Sequence, residues 1–89
     1  MTEIHRMLAL CTAHVTTGTA QLLDGDQLDY PVYVKGEYGW ILPVLAGTHR
    51  GDLPGDLGAC LDYAEALDCA WVMFDRDVNR IDGLPEYRW

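Results

Sequence analysis

Extended and helical periodicities alternate along this chain in an order that leaves few folds open. Met7-Leu8-Ala9-Leu10-Cys11 is continuously apolar and stops at Thr12, the pattern of a central strand buried on both faces. A short helix is expected next. Thr16 or Thr17 can cap it, Ala20 and Leu23 stand on one side, and Asp24-Gly25-Asp26 stops it, Gly25 being suited to a left-handed helix end. Val32-Tyr33-Val34 and Tyr38 to Leu42 flank Lys35-Gly36-Glu37, which predicts a hairpin, with Pro31 and Pro43 near the strand ends. Gly47, Thr48 and Gly51 then break any period, so the stretch Ala46 to Gly51 reads as a loop.

The second helix carries the strongest pattern. Leu57, Cys60, Leu61, Ala64 and Leu67 recur at helical spacing and share a face, Asp52 is the expected cap, and Pro54 falls in the first turn. Ala70-Trp71-Val72-Met73-Phe74 follows as a buried strand closed by Asp75-Arg76-Asp77. Asn79 to Trp89 has no period but contains Ile81, Leu84, Tyr87 and Trp89, so it is expected to lie across the domain. The order strand, helix, strand, strand, helix, strand predicts an α+β, ferredoxin-like βαββαβ fold. Its four-stranded sheet would be antiparallel, with two helices on one face. At 89 residues, 1–89 reads as a single domain with enough apolar content for a core.

Charge narrows the function. Fourteen Asp and Glu against six Lys and Arg leave a formal −8. Such a chain repels phosphate backbones, which argues against direct binding to nucleic acid or an anionic membrane, while the same field speeds encounter with a basic protein surface. Asp24, Asp26 and Asp29 cluster after the first helix, and Asp52, Asp56, Asp62, Glu65 and Asp68 line the second. Carboxylates three or four positions apart on a helix lie about 5–6 Å apart at Cβ, comparable to successive phosphates, although any solvated acidic helix shows that spacing. Among the aromatic residues, alternation sends Tyr38 and Trp40 to one face of the hairpin and Ile41 to the other. Exposed rings of this kind are enriched where proteins bind one another, whereas Trp71 is expected in the core.

Catalytic constellations are weak. The chain has no Ser, which removes serine nucleophiles. Cys11 and His14 have a C-x2-H spacing, but Cys11 ends an apolar run where burial opposes a thiolate. Cys60 and Cys69 lie in or beside apolar stretches and read as buried thiols more simply than as zinc ligands. His5, His14 and His49 are most simply surface or turn residues. Asp75 and Asp77, two apart at a strand end, can in principle hold a hard cation such as Mg²⁺, and a metal-dependent enzyme built on them is the alternative reading. The simpler one is a solvated strand terminus, with Arg76 pairing locally. No cofactor is implied. Three cysteines, an N-terminus without a secretion pattern and no apolar run of the roughly 20 residues that span a bilayer point to a reducing cytoplasm.

Several segments resemble a bacterial family of unknown function carried on plasmids, phages and other mobile elements. They are Leu8 to His14, Thr19 to Leu23, Tyr38-Gly39-Trp40, the FDRD element Phe74 to Asp77 and the LPxYxW element Leu84 to Trp89. The resemblance covers nearly the whole chain and assigns no catalytic role to any position. What it implies is a mobile-element setting, where small acidic proteins often resemble anti-CRISPR or anti-restriction inhibitors. The resulting expectation is a non-enzymatic inhibitor, monomeric or weakly dimeric, bound to the basic DNA-binding surface of a CRISPR effector complex. Its contacts would be Asp24, Asp26, Asp29, Asp56, Asp62, Glu65, Tyr38, Trp40 and Trp89. A small regulatory or assembly module that pairs through a sheet edge is a further alternative. Even dispersal of the acidic side chains, or their neutralisation by Arg50, Arg76 and Arg80, would defeat the mimicry.

Overall fold

A computed structural model of the chain describes residues 3–25, 27–45 and 51–88. Asp26, His49, Arg50, Trp89 and most of the loop expected after Val44 lie outside them. The described elements are β1 (Met7–Leu10), a 3-10 turn (Thr12–His14), α1 (Thr17–Asp24), β2 (Tyr33–Lys35), β3 (Gly39–Pro43), α2 (Gly55–Ala66) and β4 (Trp71–Asp75).

The expected order of elements is present, but the sheet is not a ferredoxin-like one. Strand order is β1-β4-β3-β2, with β4 antiparallel to β3 and parallel to β1. Instead of crossing to the far side of β1, the chain returns from α2 onto the free edge of β3. The last strand then lies between the third and the first. The physical reason is in β4 itself. A central strand must satisfy its backbone on both edges, and Trp71-Val72-Met73-Phe74 has neither proline nor a turn residue to prevent it. Register is continuous on both sides, with Leu8 opposite Val72 and Leu42 opposite Val72. β1, expected at the centre, is instead an edge strand whose first residue, Met7, is 44% exposed.

One face of this sheet carries the core. Leu10, Leu42, Val72 and Phe74 are fully buried and form one cluster with Trp40, with Ala20 and Leu23 of α1, and with Leu57, Cys60, Leu61 and Ala64 of α2. Both helices therefore cover that face, as their apolar spacing requires. Leu67 is an exception. It caps the C-terminus of α2 and stays exposed, so the buried stripe stops at Ala64. The caps match expectation at the start of α1 and differ at the start of α2 and the end of α1. Thr16 caps α1 by accepting from the Thr19 amide at 3.2 Å, as its residue type predicts. α2 instead starts after Pro54 with no side-chain cap, and Asp52 lies in the turn before it. Gly25 ends α1 without a left-handed backbone, and the residue that does adopt one is Asp68, with φ 60° after α2.

Asp56 ties the helices together. Its two carboxylate oxygens accept from the Thr16 amide at 2.7 Å and the Thr19 hydroxyl at 2.8 Å, so one side chain serves the N-terminal ends of both α1 and α2. Negative charge is favoured at such ends.

The β2–β3 hairpin turns through Gly36, whose φ of 55° favours glycine. Gly39 has a different duty: a Cβ there would sit 1.8 Å from the Phe74 carbonyl oxygen, inside the β3–β4 ladder. Replacing Gly39 with Ala is therefore expected to cost about 2–3 kcal/mol through forced separation of the two strands. Gly55→Ala, where nothing lies within 4 Å, should leave stability unchanged or raise it slightly. Denaturant titration of both variants measures the contrast, and equal midpoints would refute it.

Candidate functional site

The sheet face opposite the helices has no covering layer among the described residues. Strand alternation and register put Met7 and Ala9 of β1, Trp71 and Met73 of β4, Ile41 and Pro43 of β3, and Tyr33 of β2 on that side. Tyr33 is 57% exposed and its ring meets that of Trp71 with centroids 6.3 Å apart. Trp71, expected inside, is thus a half-buried open-face residue. Trp40, expected at a surface, is a core residue at 5% exposure, edge-on to Phe74. Hairpin alternation put Trp40 and Ile41 on opposite faces, as the register shows, but only the position of the helices decides which face is covered.

At the end of the sheet where β1 and β4 finish, polar groups converge. The Lys35 ammonium donates to Asp75 Oδ2 at 2.7 Å, and the Asp77 amide donates to Asp75 Oδ1 at 2.8 Å. The bond from Lys35 is the main cause that holds the Asp75 carboxyl below its ordinary value, with the Asp77 amide second. Both oxygens of Asp75 are thereby engaged inside the fold. Tyr38, exposed, lies between Lys35 Nζ at 5.3 Å and the Arg76 guanidinium at 5.1 Å from its ring centroid. Among the described residues no three His, Cys, Asp or Glu side chains come together as metal ligands.

The other expected contacts are distributed rather than gathered. Asp24 accepts from the Trp40 indole at 2.8 Å, which places it beside β3. Asp29 is exposed in the segment that follows α1, while Asp62 and Glu65 are exposed on α2. Asp56 is committed to α1, as described above. Asp26 and Trp89 are not among the described residues. Arg80 pairs with Glu86 at 4.0 Å.

His14 is the residue that sequence reasoning misplaced. It is 1% exposed, and both ring nitrogens are used. Nδ1 lies 2.8 Å from the Pro85 carbonyl and therefore donates, while Nε2 accepts from the Ile81 amide at 3.1 Å. The pairing fixes the neutral tautomer. Together with the Tyr87 amide bonded to the Ala13 carbonyl at 2.8 Å and with buried Leu84, it straps the C-terminal segment along the 3-10 turn. That segment does lie across the domain, as its apolar residues predict. Nothing in sequence spacing announces the link, because the partners are backbone groups 67 and 71 positions away.

The cysteines are free, with Cys11 and Cys60 buried and Cys69 half-buried. Burial, reinforced by the nearby Asp56 charge, pushes the Cys60 thiol up to about 12, so it is not a nucleophile at neutral pH. No helix among the described residues is long and apolar enough to cross a membrane.

These features define a small mixed α+β domain with one sheet face left open among the described residues. The chain belongs to the DUF5983 family of unknown function, whose C-terminal domain model matches residues 7–89. No curated protein and no solved structure gives a significant match.

Two outcomes follow. His14→Ala should lower stability by about 3 kcal/mol, since it leaves a cavity and two buried backbone groups without partners. The Ile81 amide should then lose protection in hydrogen exchange before the strand amides do, and unchanged protection would contradict the strap. For Asp75, the lowered value makes its contribution complete above the ordinary 3.8 and lost as pH falls through the folded-state value. Asp75→Asn should therefore flatten the acid limb of stability against pH, and an identical limb in both proteins would rule this out.

Proposed function

We propose that this domain is a non-catalytic inhibitor that occupies a basic protein surface of a nucleic-acid-handling complex, the kind of activity exercised by anti-CRISPR proteins. One conjunction carries the reading: a chain of net charge −8 has a sheet face that no described residue covers, with Tyr33 and Trp71 paired on it. Long-range attraction and short-range contact then have separate sources. The surplus of carboxylates, with Asp24, Asp29, Asp62 and Glu65 at the surface, raises the rate of encounter with a Lys/Arg-rich partner. The open-face rings, with Met7, Ile41 and Met73 around them, supply the dehydrated contact that slows dissociation. The mobile-element resemblance directs the choice of partner to CRISPR effector and restriction complexes. Three free thiols agree with a reducing cytoplasm as the setting.

The metal-dependent alternative has less support, because Asp75 is already bonded to Lys35 and the Asp77 amide. No cofactor enters the proposal.

Mobility-shift assays with purified CRISPR effector complexes and restriction enzymes provide the test. At least one complex is expected to lose target-DNA binding at micromolar domain concentration, with inhibition weakening steeply as salt rises. Tyr33→Ala, which removes an exposed ring, should weaken that inhibition by about tenfold. Failure of every complex to respond would overturn the inhibitor reading. Inhibition that ignores both salt and Tyr33→Ala would overturn the assigned surface.

A further inference from the structure

Against the acidic background, the basic residues are unevenly placed. Three of the chain's six Lys and Arg residues, Arg76, Arg80 and Arg88, line a single groove of about 690 Å³ at the sheet end where β1 and β4 finish side by side. Cys11, Thr12 and Tyr87 complete most of its wall, and Glu86 is the one acidic residue among the described residues that line it. Arg76 follows β4 directly, Arg80 and Arg88 belong to the C-terminal segment, and the His14 strap brings that segment alongside. From this geometry we propose that the groove binds the phosphate groups of a small molecule carrying a di- or polyphosphate.

Like charges gathered in one place repel one another, and little inside the fold offsets them. Among the described residues neither Arg76 nor Arg88 forms an ion pair, and Arg80 has only the 4.0 Å contact with Glu86, an exposed pair of small worth. Arg76 is nevertheless held in place: its amide donates to the Tyr38 carbonyl at 3.0 Å and its guanidinium lies over the Tyr38 ring. The Arg76 charge also acts on neighbouring Asp75, but both oxygens of that carboxylate are bonded to Lys35 and the Asp77 amide, which leaves the guanidinium donors for an incoming anion.

The number of forks selects the anion. Each guanidinium presents paired N–H donors to two oxygens, so one carboxylate is saturated by one or two arginines, whereas linked phosphates offer enough oxygens for three. The volume matches small-molecule sites, which run from about 300 to 1,000 Å³. A second groove of about 380 Å³ shares Thr12 and Arg76 with the first; Tyr38 and Trp40 line it together with the carboxylates Asp24 and Glu37, so it suits an uncharged or cationic part of the ligand and not a further phosphate. The net negative charge sets an upper limit on ligand size rather than forbidding binding. Its field is screened over about 8 Å at physiological salt, so a compact anion meets the arginines while a long polyanion meets the carboxylates as well.

Titration calorimetry of the whole chain at physiological salt tests the assignment, with pyrophosphate as the probe and citrate as a carboxylate control. Pyrophosphate should bind with a dissociation constant below the millimolar range and clearly more tightly than citrate. Arg76→Gln and Arg88→Gln should each weaken it about tenfold or more. Arg6→Gln, before β1 at the opposite sheet end, should leave it unchanged. All three arginines are exposed, so the variants are expected to fold, and thermal melting verifies this. Absence of heat up to several millimolar pyrophosphate would overturn the site. Equal binding of citrate, or equal weakening by Arg6→Gln, would overturn the phosphate assignment.

Discussion

A strand bonded along both edges must pair its backbone with two neighbours at once, and β4 is the element on which that constraint falls. Its place between β3 and β1 determines almost everything else in the domain. Because β4 runs parallel to β1, their C-terminal ends finish together, and the turn Thr12–His14 and the residues after Asp75 emerge at one end of the sheet. Because Val72 and Phe74 both point toward the helices, Trp71 and Met73 must point the other way. The open face and the arginine-lined groove are thus two consequences of one pairing.

Two polar links, one through half-buried Asp56 and one through buried His14, hold the remaining parts to that sheet. Asp56 joins the starts of α1 and α2, and His14 fastens the C-terminal segment to the turn after β1. Each replaces several weak contacts with hydrogen bonds that are expensive to leave unmade in a small core. The charge of Asp56 is consequently used inside the molecule, whereas Asp62 and Glu65 on the same helix face outward. Acidic side chains of one helix therefore have different duties, and spacing by itself does not separate them.

The charge distribution reconciles two properties that at first conflict. A chain with more than twice as many acids as bases is suited to basic partners, yet half of its bases stand around one groove. Segregation of this kind is what the two proposals rest on: an acidic exterior for a basic protein and a cationic recess for a compact anion. Tyr38 lies at the junction, exposed and flanked by Lys35 and Arg76.

Local pattern determined the elements themselves. The alternation of apolar runs and helical stripes located β1, α1, the hairpin, α2 and β4 to within a few residues, because periodicity records which side of an element meets the core. Thr16 as a cap, the buried Cys11 and Cys60, and the docked C-terminal segment were legible for the same reason. Tertiary structure decided which strand lies beside which, that Trp40 is covered while Trp71 is half open, that Asp56 and His14 are internal, and that Arg76, Arg80 and Arg88 meet. Those outcomes depend on contacts between residues dozens of positions apart. A one-dimensional pattern carries the tendency of each segment to bury a face, but it holds no information about which distant segment arrives to cover it.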